Sequence, residues 1–138
     1  MKIAVLFFPL NSRKKIHKIS EALAGGIEAQ GYQVDRIDGS EAVHMGLSIY
    51  QYIVIGAEFG SAFNSKIPEI IPRYLKNAGL IAGKRSLAFI LPKFFGTEKA
   101  LRNIMAVMES EGMFVKNSEI ISDERLAMKI GKNLTIRS

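Results

Sequence analysis

The chain has 138 residues, 48% apolar and 23% charged, with 19 Lys and Arg against 13 Asp and Glu, a formal net charge of +6. That length suits one domain with a sizeable core, and that balance excludes a disordered chain. With no cysteine, disulfides, thiolate metal sites, iron–sulfur clusters and cysteine nucleophiles are excluded too, while the surplus of cations favours anionic partners such as phosphate cofactors, nucleic acid or acidic proteins.

The first apolar run, "KIAVLFF" at 2–8, is continuous and β-rich, the pattern of a strand covered on both faces. Pro9 and a basic segment follow it with no small-residue cleavage site, so it reads as a buried strand and not as a signal peptide. No apolar run approaches the roughly 20 residues that span a bilayer, and a cytoplasmic location is the expectation. Ile16, Ile19, Leu23 and Ile27 then recur at helical spacing, and Gly31–Tyr32 supplies a stop before the strand "YQVDRID".

The stretch "GSEAVHMGLSIYQ" is ambiguous and reads as a short helical turn or a loop. "YIVIG" at 52–56 is a second buried strand. Ile67, Ile70, Ile71, Tyr74 and Leu75 form a stripe of period 3.6. "RSLAFIL" at 85–91 is a third buried strand, and Leu101, Ile104, Met105 and Met108 mark a helix stopped near Gly112. "MFVKNSEII" at 113–121 is edge-like, and Ser122 and Asp123 can cap a last helix carrying Leu126, Ala127, Ile130 and Leu134.

Five strands interleaved with helices predict a three-layer, doubly wound α/β fold with a parallel sheet, in one domain over 1–138. The three most apolar strands belong in the middle and the polar ones, 32–38 and 113–121, at the edges, which gives the order 2-1-3-4-5. In such sheets the ligand crevice lies at the carboxyl ends of strands 1 and 3. Three loops meet there: 9–15, 57–66 and 92–97.

Loop 9–15 is "PLNSRKK". Asn11 or Ser12 can cap the helix, leaving free backbone N–H groups aimed at the crevice. Arg13, Lys14 and Lys15 put cations where the helix dipole is already positive, and one explanation is an anion among them. A phosphate would meet the N–H groups, the Ser12 hydroxyl and at least one cation. The loop lacks the glycines of a Walker or dinucleotide fingerprint, so a single phosphate fits better than a pyrophosphate. A solvated basic turn is the alternative.

Loop 57–66, "AEFGSAFNSK", and loop 92–97, "PKFFGT", hold Phe59, Phe63, Phe94 and Phe95, half of the eight phenylalanines. Gly60 and Ser61 permit a tight turn, Lys66 adds a cation, and Phe94 and Phe95 stand together just past a strand end, between Pro92 and Gly96. Phenylalanine rings prefer burial, so the cluster implies an apolar slot for something flat or contact with another subunit. A ligand with one phosphate end and one flat aromatic end has the form of FMN.

On "KIAVLFFPLNS", "YIVIGAEFGSAFNSKIP" and "ILPKFFGTEKALRNIMAVMESEGM", the chain resembles the flavodoxin-like family over nearly its whole length. The resemblance implies FMN in the same crevice, with Pro9, Asn11, Ser12, Arg13 and Lys14 around its phosphate. Glu58, Phe59, Gly60, Phe63, Phe94, Phe95 and Gly96 would lie around the ring. The phosphate loop departs from the family pattern, since a Ser/Thr-rich stretch with glycine is replaced here by Asn11, Ser12 and three cations. The third-strand loop has "AEFGS" in place of Thr/Ser-Pro-x-Tyr. Classical flavodoxins are also strongly acidic, so a basic chain that carries electrons should meet an acidic redox protein or a small-molecule acceptor.

Other readings are weaker. His17 and His44 lie on different elements without convincing carboxylate spacing. A phosphate-accepting receiver needs Asp at the end of strand 3, where Gly56, Ala57 and Glu58 stand. No Gly-x-Ser-x-Gly elbow is present. A nucleic-acid binder would need Arg13, Lys14, Lys15, Lys18, Lys66 and Lys93 on one continuous face, with no recognised motif to help. The main rival is a flavodoxin-like domain that has lost FMN and presents its phenylalanines to another protein or to a second copy of itself. Glu58 could hydrogen-bond a flavin or hold a helix N-terminus.

Overall fold

The computed structural model describes residues 1–10, 13–41, 46–59 and 66–137, with Arg13 described in its backbone only. Strands β1 (Lys2–Phe8), β2 (Gln33–Asp38), β3 (Tyr52–Ala57), β4 (Arg85–Ile90) and β5 (Phe114–Ile120) alternate with helices α1 (Arg13–Glu28), α2 (Ile70–Lys76), α3 (Thr97–Ser110) and α4 (Glu124–Asn133). All neighbouring strands run parallel, in the order β2-β1-β3-β4-β5. This is the doubly wound order that the apolar pattern implied.

The reason is burial. β3 is buried along its whole length and β1 and β4 nearly so, which requires cover on both faces. β2 and β5 keep several exposed positions and close the sheet at its edges. Alternation along β1 sorts the two cores. Ala4, Leu6 and Phe8 face α2 and α3 with Ile71, Leu75, Ile104 and Met108. Ile3, Val5 and Phe7 face α1 and α4 with Ile16, Leu23, Ile27 and Ala127. Gly56 sits opposite Phe89, and a Cβ there would run into the Phe89 ring, so β3 needs a residue without one near its carboxyl end.

Local chemistry sets the ends. Asp123 caps α4, its Oδ1 accepting from the Leu126 N–H at 2.8 Å. Gly96 caps α3 at φ 72°, in the left-handed region that favours glycine. The stripe beginning at Ile67 predicts a longer α2 than is found. Pro68 disfavours helical backbone at Ile67, and Pro72 is tolerated because it falls in the first turn, whose N–H groups have no intrahelical acceptor. Ile67 still packs on the core, half-buried. The described part of 39–51 contains no helix; Leu47 N–H donates to Ala78 O at 2.8 Å and fastens that loop. Among the described residues no helix is long and apolar enough to cross a membrane.

Candidate functional site

The carboxyl ends of β1, β3 and β4 meet in register, with Phe8 opposite Ala57 and Ala57 opposite Ile90. The loops that leave them therefore share one edge. Pro9 is buried, and Leu10 beyond it is 53% exposed. Asn11, Ser12, Gly60 and Phe63, together with the Arg13 side chain, lie outside the described residues.

Glu58 follows β3 and is only 7% exposed. Its N–H donates to Phe8 O at 3.1 Å, and its Oε1 accepts from the Leu10 N–H at 2.9 Å. A carboxylate buried at this depth needs such donors, because desolvation otherwise costs several kcal/mol. Phe59 is half-buried and packs against the α2–α3 core. Its ring carries the Lys93 Nζ at 5.5 Å from the centroid, a cation–π contact worth about 0.5–1 kcal/mol at an exposed site. Partial burial lowers the pKa of the Lys93 ammonium.

The loop after β4 is short and fastened. Thr97 Oγ1 accepts from the Lys93 N–H at 2.9 Å and donates to the Lys93 carbonyl at 3.0 Å. Held by that pair, Phe94 is 82% and Phe95 51% exposed. Their rings meet edge to face, 4.7 Å apart at 80°. The fold thus brings Pro9, Glu58, Phe59, Phe94, Phe95 and Gly96 to one end of the sheet.

The cations of α1 divide. Lys14 and Lys15 are exposed on the first turn. Lys15, Lys18 and Ile19 line a hollow of about 370 Å³ whose other wall is Ser122, Asp123, Glu124 and Arg125 at the start of α4. Lys15 and Lys18 therefore turn toward the α4 side, where two carboxylates, Asp123 and Glu124, and the Arg125 cation share the wall with them.

Sequence reasoning gave His17 no carboxylate. Its Nε2 lies 3.4 Å from Asp38 Oδ2, and its ring meets Phe7 edge to face at 4.7 Å. The pairing joins α1 to the end of β2, which no local spacing reveals. His44 lies outside the described residues.

No protein-family model and no curated sequence matches the chain significantly. Solved structures do. A flavodoxin from the domain Archaea is 19% identical, covering 97% of this chain and 96% of its own, with a TM-score of 0.72. Oxidised flavodoxin 1 from Bacillus cereus is 16% identical over 98% and 100%, at 0.72. Two-electron reduced Megasphaera elsdenii flavodoxin is 12% identical over 93% and 96%, at 0.73. The chain has the flavodoxin-like fold.

Proposed function

We propose that this chain is a small FMN-binding electron-transfer protein or oxidoreductase, organised as one domain over 1–138. The observation that supports it best is the aromatic set at the carboxyl edge: half-buried Phe59 in the loop after β3 and the exposed Phe94–Phe95 pair in the loop after β4, in a flavodoxin-like sheet. Two loops that bring aromatic rings to one sheet edge, with the Lys93 cation over the Phe59 ring, suit a flat, electron-accepting ring.

In this reading Phe59 and one of Phe94 or Phe95 flank the ring and exclude water, with Gly60, Phe63 and Gly96 in the same loops. Backbone N–H groups from Asn11 to Lys14 and the Ser12 hydroxyl hold the phosphate, with Pro9 before them and the cations of Arg13 and Lys14 beside them. The cofactor, when bound, supplies the redox chemistry, and the chain contributes no nucleophile. The Lys93 cation favours negative charge in the pocket. With a net charge of +6, the chain suits an acidic redox protein or a small-molecule acceptor.

The test is a titration of the purified protein with FMN, following flavin fluorescence, with riboflavin as the phosphate-free control. Saturable quenching by FMN and not by riboflavin is expected. Binding of neither removes the flavin reading. The exposure of Phe94 and Phe95 favours one second reading, a flavodoxin-like domain without FMN whose phenylalanines bind a protein. That reading predicts no titration, and loss of association in the double variant Phe94→Ala/Phe95→Ala.

A further inference from the structure

We propose that Glu58 is a positioning residue whose side chain extends the β1–β3 ladder by one step and so fixes the start of the loop after β1. The proposal rests on the crevice reading above and gives Glu58 a role apart from direct contact with a flavin.

The pairing geometry carries it. In a parallel ladder, one residue donates its N–H to a carbonyl on the neighbouring strand and accepts, through its own carbonyl, the N–H two residues further along that neighbour. Glu58 does the first of these, donating to Phe8 O at 3.1 Å. The residue two further along is Leu10, and its N–H does donate to Glu58. The acceptor, however, is the side-chain Oε1 at 2.9 Å.

The carboxylate thus does the work of a main-chain carbonyl. A Glu side chain is longer than a carbonyl bond, so β1 and β3 can part here while the last N–H of the departing strand keeps its partner. The contact spans 48 residues of sequence and ties together the two loops that flank the crevice. With Glu58 only 7% exposed, the acceptor end of this part-buried tie is sheltered from competing water, which strengthens it.

Its consequence is specific to one end of the ligand. The segment from Leu10 into α1 is where the proposed anionic group would meet backbone N–H groups, so fixing the Leu10 amide would lower the cost of ordering that segment on binding. The ring end, built from Phe59, Phe94 and Phe95, keeps its own supports in the α2–α3 core and in the Lys93–Thr97 pair.

Two variants and two readouts test it. In Glu58→Ala without ligand, hydrogen exchange at the Leu10 amide, followed by NMR, should quicken at least tenfold, with the Val54 and Ile55 amides unchanged. The same variant should bind FMN at least tenfold more weakly and riboflavin less than threefold more weakly. Glu58→Gln keeps an oxygen acceptor, so it should retain Leu10 protection within threefold and bind FMN no more weakly than the unaltered chain.

Unchanged Leu10 exchange in Glu58→Ala overturns the proposal, as does a Glu58→Gln variant as impaired as Glu58→Ala. Equal losses for FMN and riboflavin with faster exchange at Val54 and Ile55 also overturn it, as a general loss of packing. If the unaltered chain binds no FMN, the flavin reading falls, and Leu10 exchange in Glu58→Ala still decides the tie.

Discussion

The α1–α4 seam and the carboxyl edge of the sheet treat small and large side chains in opposite ways. At the seam, Gly26 and Gly131 bring two helix backbones into contact. A Cβ on Gly131 would meet the Leu23 carbonyl oxygen and lie 2.9 Å from Gly26 Cα, and one on Gly26 would meet Met128 O. Gln30 Nε2 then donates to Gly131 O at 2.7 Å and to Leu134 O at 2.9 Å, locking the end of α4. At the carboxyl edge, two phenylalanines stand in solvent while a carboxylate is buried.

The seam follows the ordinary logic of stability, with close packing and satisfied polar groups. The edge inverts it: Phe94 and Phe95 gain little from folding, and Glu58 is costly to desolvate. Departures of that kind concentrate where a protein must meet something else. The seam also shapes its surroundings, since helices pressed together at Gly26 and Gly131 open toward their N-termini into the hollow lined by Lys15, Lys18 and Arg125.

The sharpest way to break the contrast is Gly131→Ala. On an open helix this change stabilises by up to about 1 kcal/mol. Here the new methyl meets backbone atoms that cannot turn aside, so urea unfolding should show a loss of about 3 kcal/mol. A neutral or stabilising result would mean that the helices do not touch. At the other region, Phe94→Ala/Phe95→Ala should leave the unfolding free energy from urea melts within about 0.5 kcal/mol of the unaltered chain. Its FMN affinity should fall at least about tenfold, near 1.4 kcal/mol. A large stability loss with unchanged affinity would make the pair part of the core. A smaller effect is expected for Ser12→Ala alone, a severalfold loss for FMN with none for riboflavin in the same titration.

Tyr52 tests the seam-side core more gently. It is fully buried in β3, and its hydroxyl has no hydrogen-bond partner among the described residues. Tyr52→Phe should therefore be neutral or gain about 1 kcal/mol. Burial, first of all, pushes Tyr52 and Tyr50 up to about 12 from an ordinary 10; at Tyr50 the hydroxyl also donates to Asp35 Oδ2 at 2.8 Å. Phenols that hold their protons longer folded than unfolded stabilise the fold fully below pH 10, and that contribution is lost as pH rises toward 12. Thermal melts across that window should fall, and Tyr52→Phe should flatten the fall. A melting temperature that stays constant from pH 10 to 12 would show that neither phenol is held in this way.

Much of the fold was legible. β3 and β4 announce themselves as unbroken apolar runs, β2 and β5 as mixed ones, and that difference separates centre from edge and matches a common doubly wound order. Asp123 was legible as a cap because capping is a contact over three residues. The shortened α2 could have been read from Pro68 and Pro72, which the apolar stripe overshadowed. The candidate site was legible as a set of loops, with Phe59, Phe94 and Phe95 visible as aromatics beyond strand ends. How far each ring is buried was not, since that depends on what α2 and α3 pack beneath it.

The sequence by itself determined the period of each element, the rank of the strands by burial and the loops that meet at one edge, because these follow from neighbours a few residues apart. Only the tertiary structure decided that Lys15 and Lys18 turn toward α4, that His17 meets Asp38, and that Glu58 holds Leu10 across 48 residues. It also decided that Gly26 and Gly131 set the approach of two helices. Each of these is a contact between side chain or backbone atoms on separate elements, and its energy depends on distances that exist only once the sheet has placed those elements side by side.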